Sequence, residues 1–468
     1  MRKSIKQFFT SKEIEHAFKI FIIAVIVVSV FSLIAVNFIN PVYVVAVDLL
    51  VLIILLLFKF PVFGLYLMIF IYPYVNWQFI WGDFNLPYVD LVAILLFLAV
   101  IIRLLFDLAE NKKVQKLTLK KIFPGLMFAG LFILASALSL FNSQYFGAGL
   151  KYLFRPIVFF YLMFIVLPHY IIINKRIFKK ALQVLLLVGI IVGTLGFLSV
   201  VVKQGPSWMA YRAVPFAFGD FNPLGGNHNA IAEVMVVCIP IAFVLFLQAK
   251  KIKKKGWFIL AAFFMTIILL LTFSRSGWLA LLVQLLILFF VKYRHKVDKY
   301  AIVAIILILI LAPTLFYFTS GHQIDWVKTS DANRVLMTKI ALYNFSEHPI
   351  IGNGLNSFQL LVGGTFVYSV EFGDPLESHG FVQKLLTESG LLGLITFLML
   401  LGYIFYKYIG AYKNAASEHF QLIILCLIMM LSGIVIFELF STSYYLATMW
   451  LPIGIGLAGV KLYGKSNV

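Results

Sequence analysis

Residues 257–290 read WFILAAFFMTIILLLTFSRSGWLALLVQLLILFF, with Arg275 the one charge among them. Apolar runs near 257–273 and 276–292 flank a four-residue break, Ser274-Arg275-Ser276-Gly277. Each run has the about 17 to 25 residues that carry a helix across a hydrocarbon core. Lipid offers a backbone amide no partner, so each crossing must close its hydrogen bonds within its own helix. The stretch predicts two membrane-spanning helices joined at one face, with a guanidinium held in the join.

The same pattern covers the rest of the chain. Of 468 residues, 62% are hydrophobic and 12% charged, against about 45 to 50% apolar and about 25% charged in a soluble domain; mean hydropathy is +1.01. Fourteen runs qualify as spans, near 17–37, 42–58, 62–80, 88–107, 122–141, 152–168, 178–201, 230–248, 257–273, 276–292, 300–318, 380–408, 419–440 and 446–462. The expectation is an all-α polytopic membrane protein of about 12 to 14 transmembrane helices, with one large external loop containing short amphipathic helices. Strand-turn alternation of a barrel is not seen, nor is an internal repeat. The run 17–38 follows a basic start but is long for a signal sequence and lacks a small-residue cleavage site, so it reads as the first span. Cys238 and Cys426 lie far apart in apolar runs and imply neither a disulfide nor a thiolate metal site.

A net charge of +19 would suggest nucleic acid as partner in a soluble chain. Here the cations cluster on every second connection: Arg2 and Lys3, Lys59, Lys112 to Lys121, Lys175 to Lys180, Lys250 to Lys255, Lys292 to Lys299, Lys407 to Lys413, and the tail from Lys461 to Lys465. Short cytoplasmic loops carry this excess. Both termini are therefore expected inside, the lipid bilayer explains the charge, and no nucleic acid is expected. The alternate connections, 76–87, 142–149, 201–229, 274–277 and 319–378, are expected outside. The chain is expected to divide into N-terminal transmembrane helices (1–318), an external loop (319–379) that would carry the candidate site, and C-terminal transmembrane helices (380–468).

Two external connections exceed the about 12 to 15 residues of an ordinary loop. The first, 201–229, carries Trp208, Tyr211, Phe216, Phe218 and Phe221; the second carries Trp326, Phe345, Phe358, Phe366 and Phe372, suited to burial at a membrane surface. Val335, Ile340 and Leu342 at helical spacing predict an amphipathic helix over 331–345.

The polar residues on this side are the candidates for chemistry. A boundary arginine is ordinarily a snorkelling anchor, but positive-inside bias disfavours a lone external one, and the Arg275 guanidinium suits bidentate phosphate binding. Arg334 lies in the predicted amphipathic helix, where a solvated face is the ordinary reading. Arg155, Arg212 and Lys151 supply further cations near that side. His379, in Ser378-His379-Gly380 where the loop re-enters the membrane, is able to take a proton from a sugar hydroxyl near neutral pH; a histidine held by a backbone carbonyl is the alternative. His228 and Asn229, in Gly225-Gly226-Asn227-His228-Asn229, read as capping and substrate hydrogen bonding. Gly352-Asn353-Gly354 and Gly390-Leu391-Leu392-Gly393 fit tight turns and close helix approach. The sequence has no P-loop, no zinc-spaced cluster and no Asp-x-Asp, so neither metal nor cofactor is expected.

Over about 271–397 these residues resemble the O-antigen ligase and polymerase superfamily. The family's histidine motif is a histidine and a small polar residue, nine residues, then Gly-x-x-Gly; here His379-Gly380 leads by nine residues to Gly390-Leu391-Leu392-Gly393, with glycine replacing the usual polar residue. The Ser274–Gly277 break, and Asn333-Arg334 ahead of His348-Pro349-Ile350-Ile351-Gly352-Asn353-Gly354, also look like the family pattern. The resemblance implies a metal- and nucleotide-independent glycosyltransferase at the outer face of the inner membrane. Its donor would be an undecaprenyl diphosphate-linked glycan and its acceptor a glycan, lipid or protein. His379, Arg275 and Arg334 would be catalytic, and Arg275, Arg334, Arg212, Arg155, His228 and Asn229 would bind substrate. A transporter or flippase for an anionic or lipid-linked substrate is the rival reading, which charges and broken helices near the membrane midplane would favour.

Overall fold

A computed structural model describes residues 41–81, 84–109, 123–206, 211–293, 324–374, 377–441 and 444–464. The expected spans 17–37 and 300–318, Trp208, and the basic connection 112–121 lie outside the described residues. The chain forms two compact units, Met1–Met68 with Asp90–Leu117, and Ile69–Val89 with Thr118–Val468.

In the first unit, α1 (Pro41–Lys59) meets α2 (Pro61–Ile71) at a bend of 113°. Phe60-Pro61 produces it, because a proline ring disfavours helical geometry in the residue before it. The expected span 62–80 is not a span: α2 stops at Ile71, and Tyr72-Pro73-Tyr74 leads into an antiparallel hairpin, β1 (Gln78–Trp81) and β2 (Phe84–Pro87), pairing Gln78 with Pro87 and Trp81 with Phe84. The hairpin belongs to the second unit, and α3 (Tyr88–Ala109) follows it.

The second unit continues with α4 (Leu126–Ser139), α5 (Phe146–Ile171), α6 (Lys175–Val201), α7 (His228–Gln248), α8 (Ile252–Leu271) and α9 (Arg275–Leu288). Within α5 the turns widen to π-helix at Leu153–Phe159 and Tyr161–Val166 around Pro156, which has no N–H to close an ordinary turn. Helix α7 is the centre: apolar on nearly every side, it packs against α6, α8 and α14 (Glu418–Glu438), and most of its residues are buried. A helix apolar all round is one that is surrounded.

Before α14 come α10 (Ile324–Glu347), the short α11 (Phe358–Gly363) and α12 (Phe366–Phe372), and the long α13 (Phe381–Lys413); α15 (Ala447–Tyr463) closes the chain. Seven described helices are long and apolar enough to cross a membrane, eight if α1 and α2 are one broken span, and three shorter apolar helices include α9 and α15. The fold is an all-α polytopic membrane architecture, as composition implies.

Helix α10 runs longer than the amphipathic segment expected over 331–345, and its buried face differs. Met337, Ile340 and Ala341 pack with Phe358, Val362 and Tyr368 into a small core, whereas Val335 and Leu342 are more than half exposed. Val335 and Leu342, seven apart, share one face; Ile340 lies on the other. The loop aromatics divide likewise, Phe358 being fully buried and Phe366 80% exposed.

Candidate active site at the membrane re-entry

The break between α8 and α9 is built from backbone upward. Phe273 takes the left-handed conformation at φ 52°, reversing the chain in one residue. Ser274 caps α9, its Oγ accepting from the Gly277 amide and donating to Asn229 Oδ1 at 2.7 Å. Serine at this position satisfies an amide that the first turn of a helix leaves open. Arg275 follows at the first position of α9 and is exposed. Asn229 thus grips the break that presents Arg275, while the α7 cap itself is Asn227, which accepts from the Asn229 amide at 2.9 Å.

A second strand of chain braces the same break. The Ala213 amide donates to the Leu271 carbonyl at 2.8 Å, and Arg212 Nε donates to the Thr272 carbonyl at 3.0 Å. Burial lowers the Arg212 guanidinium to about 10, so it stays charged at neutral pH. Its Nη2 meets His228 Nε2. Arginine only donates, so this imidazole nitrogen accepts and the ring proton of neutral His228 is assigned to Nδ1. His228 has therefore already committed the lone pair a base would use.

His379 stands where the loop after α12 enters α13. Burial, and then the charges of Arg334 and Arg275, lower its imidazole to about 4. The fold thus brings Arg275, from the α8–α9 break, and Arg334, from α10, into electrostatic range of one histidine. Arg155, half-buried on the π-helical part of α5, is not among the charges bearing on it. The glycine after His379 has a local cause: Gly380 sits at φ 145°, and a Cβ there would overlap the Leu439 carbonyl at the end of α14. The usual polar residue of the family motif has no room here.

The two glycine motifs close on each other. Helix α13 breaks at Gly390, φ 63° and ψ −162°, and the amides that the break releases find the other motif: Leu391 donates to the Pro349 carbonyl at 2.9 Å and Leu392 to Ile350 at 3.1 Å. In return the Asn353 amide donates to the Thr387 carbonyl at 2.9 Å and Gly354 to Glu388 at 3.0 Å. A Cβ at Gly390 would press on the Ile350 carbonyl. Gln383 Nε2 also donates to Thr338 Oγ1 at 2.6 Å, docking the helix of Arg334 on that of His379.

Sequence reasoning missed Lys384. It is fully buried at the start of α13, 2.7 Å from Glu377 and 3.1 Å from Glu388, with the rings of Tyr152, Tyr445 and Phe358 at 5.2, 5.4 and 6.0 Å. The signal was present as a Lys-Glu pair four apart in an apolar helix, where an unpaired charge is prohibitively costly. Among the described residues no group of three or more His, Cys, Asp or Glu is placed to hold a metal.

Residues 260–398 match the family model described as O-antigen ligase, and no curated protein matches the chain. That segment contains Arg275, Arg334 and His379 and all of the clasp between the glycine motifs, and over it the chain is similar to the O-antigen ligase family.

Proposed function

We propose that this protein transfers a glycan from an undecaprenyl diphosphate-linked donor to an acceptor hydroxyl at the outer face of the cytoplasmic membrane. The observation that carries this reading is the convergence of Arg275 and Arg334, from separate elements, on the half-buried His379. Two guanidiniums around a site at the membrane boundary suit a diphosphate whose charge grows as the anomeric bond breaks, and preorganised cations stabilise such charge without reorganisation. His379, neutral at pH 7, accepts the proton of the acceptor hydroxyl; the oxygen attacks the anomeric carbon from the face opposite the leaving group, with inversion, and polyprenyl diphosphate departs with the electron pair of the broken C–O bond. Arg212 and Asn229 hold the Arg275 break in place. The diphosphate itself activates the donor, so the scheme assigns no step to a metal or nucleotide.

The rival, transport, gains support from Glu233, Lys384, Glu388 and Glu438, all buried within helices. Lys384 and Glu388 lie in the first turns of α13 next to His379 and pair with each other and with Glu377, rather than standing as separate charges along a path. Purified protein in proteoliposomes with purified donor and acceptor tests the choice. Wild type should form product, and His379→Ala and His379→Gln should each lose about 10²- to 10⁴-fold in turnover, the usual range for general-base assistance. Movement of donor across the bilayer without glycan transfer would instead establish transport.

A further inference from the structure

We propose that Lys384 is a positioning residue: its ammonium locks the re-entry loop against the break in α13 and so holds His379 in front of Arg275 and Arg334. The inference rests on the reading of His379 as the base.

Three stretches of chain meet at this one cation. Glu377, two residues before His379, belongs to the loop and is the most accessible member, its side chain 27% exposed. Glu388, fully buried, lies beside the Gly390 break, and its Oε1 also accepts from the Phe358 amide at 3.2 Å, at the start of α11. Lys384 joins all three, and aromatic rings fill the space around it. The end of the loop is thereby tied to α13 and, through Glu388, to the start of α11. Other contacts fix the loop less specifically: Ser378 Oγ donates to the Gly380 carbonyl at 3.2 Å, within the loop itself, and Gly380 lies against Leu439. The Glu377–Lys384 pair runs from the loop through Glu388 toward the α13 break. Buried ion pairs add little net stability but are well suited to specifying one arrangement, and misplacing a catalytic group by about 1 Å is enough to cost about 10²-fold.

The charged and titratable groups facing His379 are Arg334 and Arg275, with the Glu377–Lys384–Glu388 triad behind its loop. This arrangement gives a test whose sign distinguishes a lock from a bare charge. In full-length protein in nanodiscs, the rate at which diethyl pyrocarbonate modifies His379 is followed against pH by mass spectrometry of its peptide, a readout that needs no transfer activity. Glu377→Ala should loosen the loop, let water reach the imidazole and raise the midpoint from near 4 toward the ordinary value. Loss of the carboxylate charge alone would lower it. Glu377→Gln, whose amide oxygen still accepts from Lys384, should leave the midpoint unraised and keep turnover within about threefold of wild type, while Glu377→Ala loses about 10- to 100-fold in kcat with donor KM retained. Lys384→Met should match Glu377→Ala. If Lys384→Met does not fold, the two Glu377 variants decide.

An unchanged or lowered midpoint in Glu377→Ala overturns the lock. Equal loss of turnover in Glu377→Gln and Glu377→Ala also overturns it, making Glu377 the base. Full transfer by His379→Ala would refute the base reading alone, with the modification midpoint still reporting whether Lys384 holds the loop.

Discussion

Arg275 and Arg334 bear on His379 from different elements, one at the start of α9 just after the turn and the other within the long α10. Lysine at 275 would keep the charge but lose the planar fork that grips two phosphate oxygens at once. Arg275→Lys and Arg334→Ala should each lose hydrogen bonds to a charged ligand, about 1.5 to 3 kcal/mol. The loss should be read as about 10- to 100-fold in donor affinity and turnover in a transfer assay; near-normal rates in both would remove the diphosphate clamp. The depressed imidazole makes a second prediction. Free enzyme keeps His379 neutral down to about pH 4, so the acid limb of kcat/KM, which reports the free enzyme, should lie there. Bound diphosphate offsets the two guanidiniums, so the acid limb of kcat should lie higher. Identical limbs in both parameters would mean that the donor does not sit between the arginines and His379. The same group links to stability: the unfolded chain takes up this proton near pH 6.5 and the folded chain only near 4, so His379 makes folding less favourable as pH falls through that window.

At the scale of elements, the re-entry depends on Gly380 and on the clasp at Gly390. Gly380→Ala would place a Cβ at φ 145° and against the Leu439 carbonyl. Backbone strain of this kind costs about 1 to 3 kcal/mol, and it falls on the residue next to His379. A thermal unfolding scan should register the destabilisation, and transfer per folded molecule should fall as well. A variant of wild-type stability and rate would mean that α14 does not abut the loop as described. The amphipathic helix was legible in its existence but not in its facing. Apolar residues at 335, 340 and 342 cannot share one side of a helix, and only the partners Phe358 and Tyr368 decide that Ile340 turns inward. The two glycine motifs were legible separately as turns. That one repairs the broken backbone of the other was not, because the hydrogen bonds join residues about forty apart, Pro349 with Leu391 and Ile350 with Leu392.

For the whole molecule, the orientation read from the charges is the premise of the mechanism. A cysteine replacing Thr329 in α10 should react with an impermeant reagent from outside, and one replacing Lys253 at the start of α8 should not. The reverse pattern would put His379 in the cytoplasm and exclude an external lipid-linked donor. By itself, the sequence determined the membrane class, the helical architecture and the matched segment with its histidine and two arginines. Those follow from run length, from the need of every amide in lipid for an intrahelical partner, and from motif spacing. Tertiary structure decided what no periodicity encodes. It stopped α2 at Ile71 and folded 78–87 into a hairpin. It gave His228 to Arg212, so that His379 alone of the two keeps its lone pair clear of that contact. It also buried Lys384 between two carboxylates from opposite sides of the re-entry. Each of these turns on a partner distant in sequence, and a buried charge or hydrogen bond is defined by the partner that satisfies it.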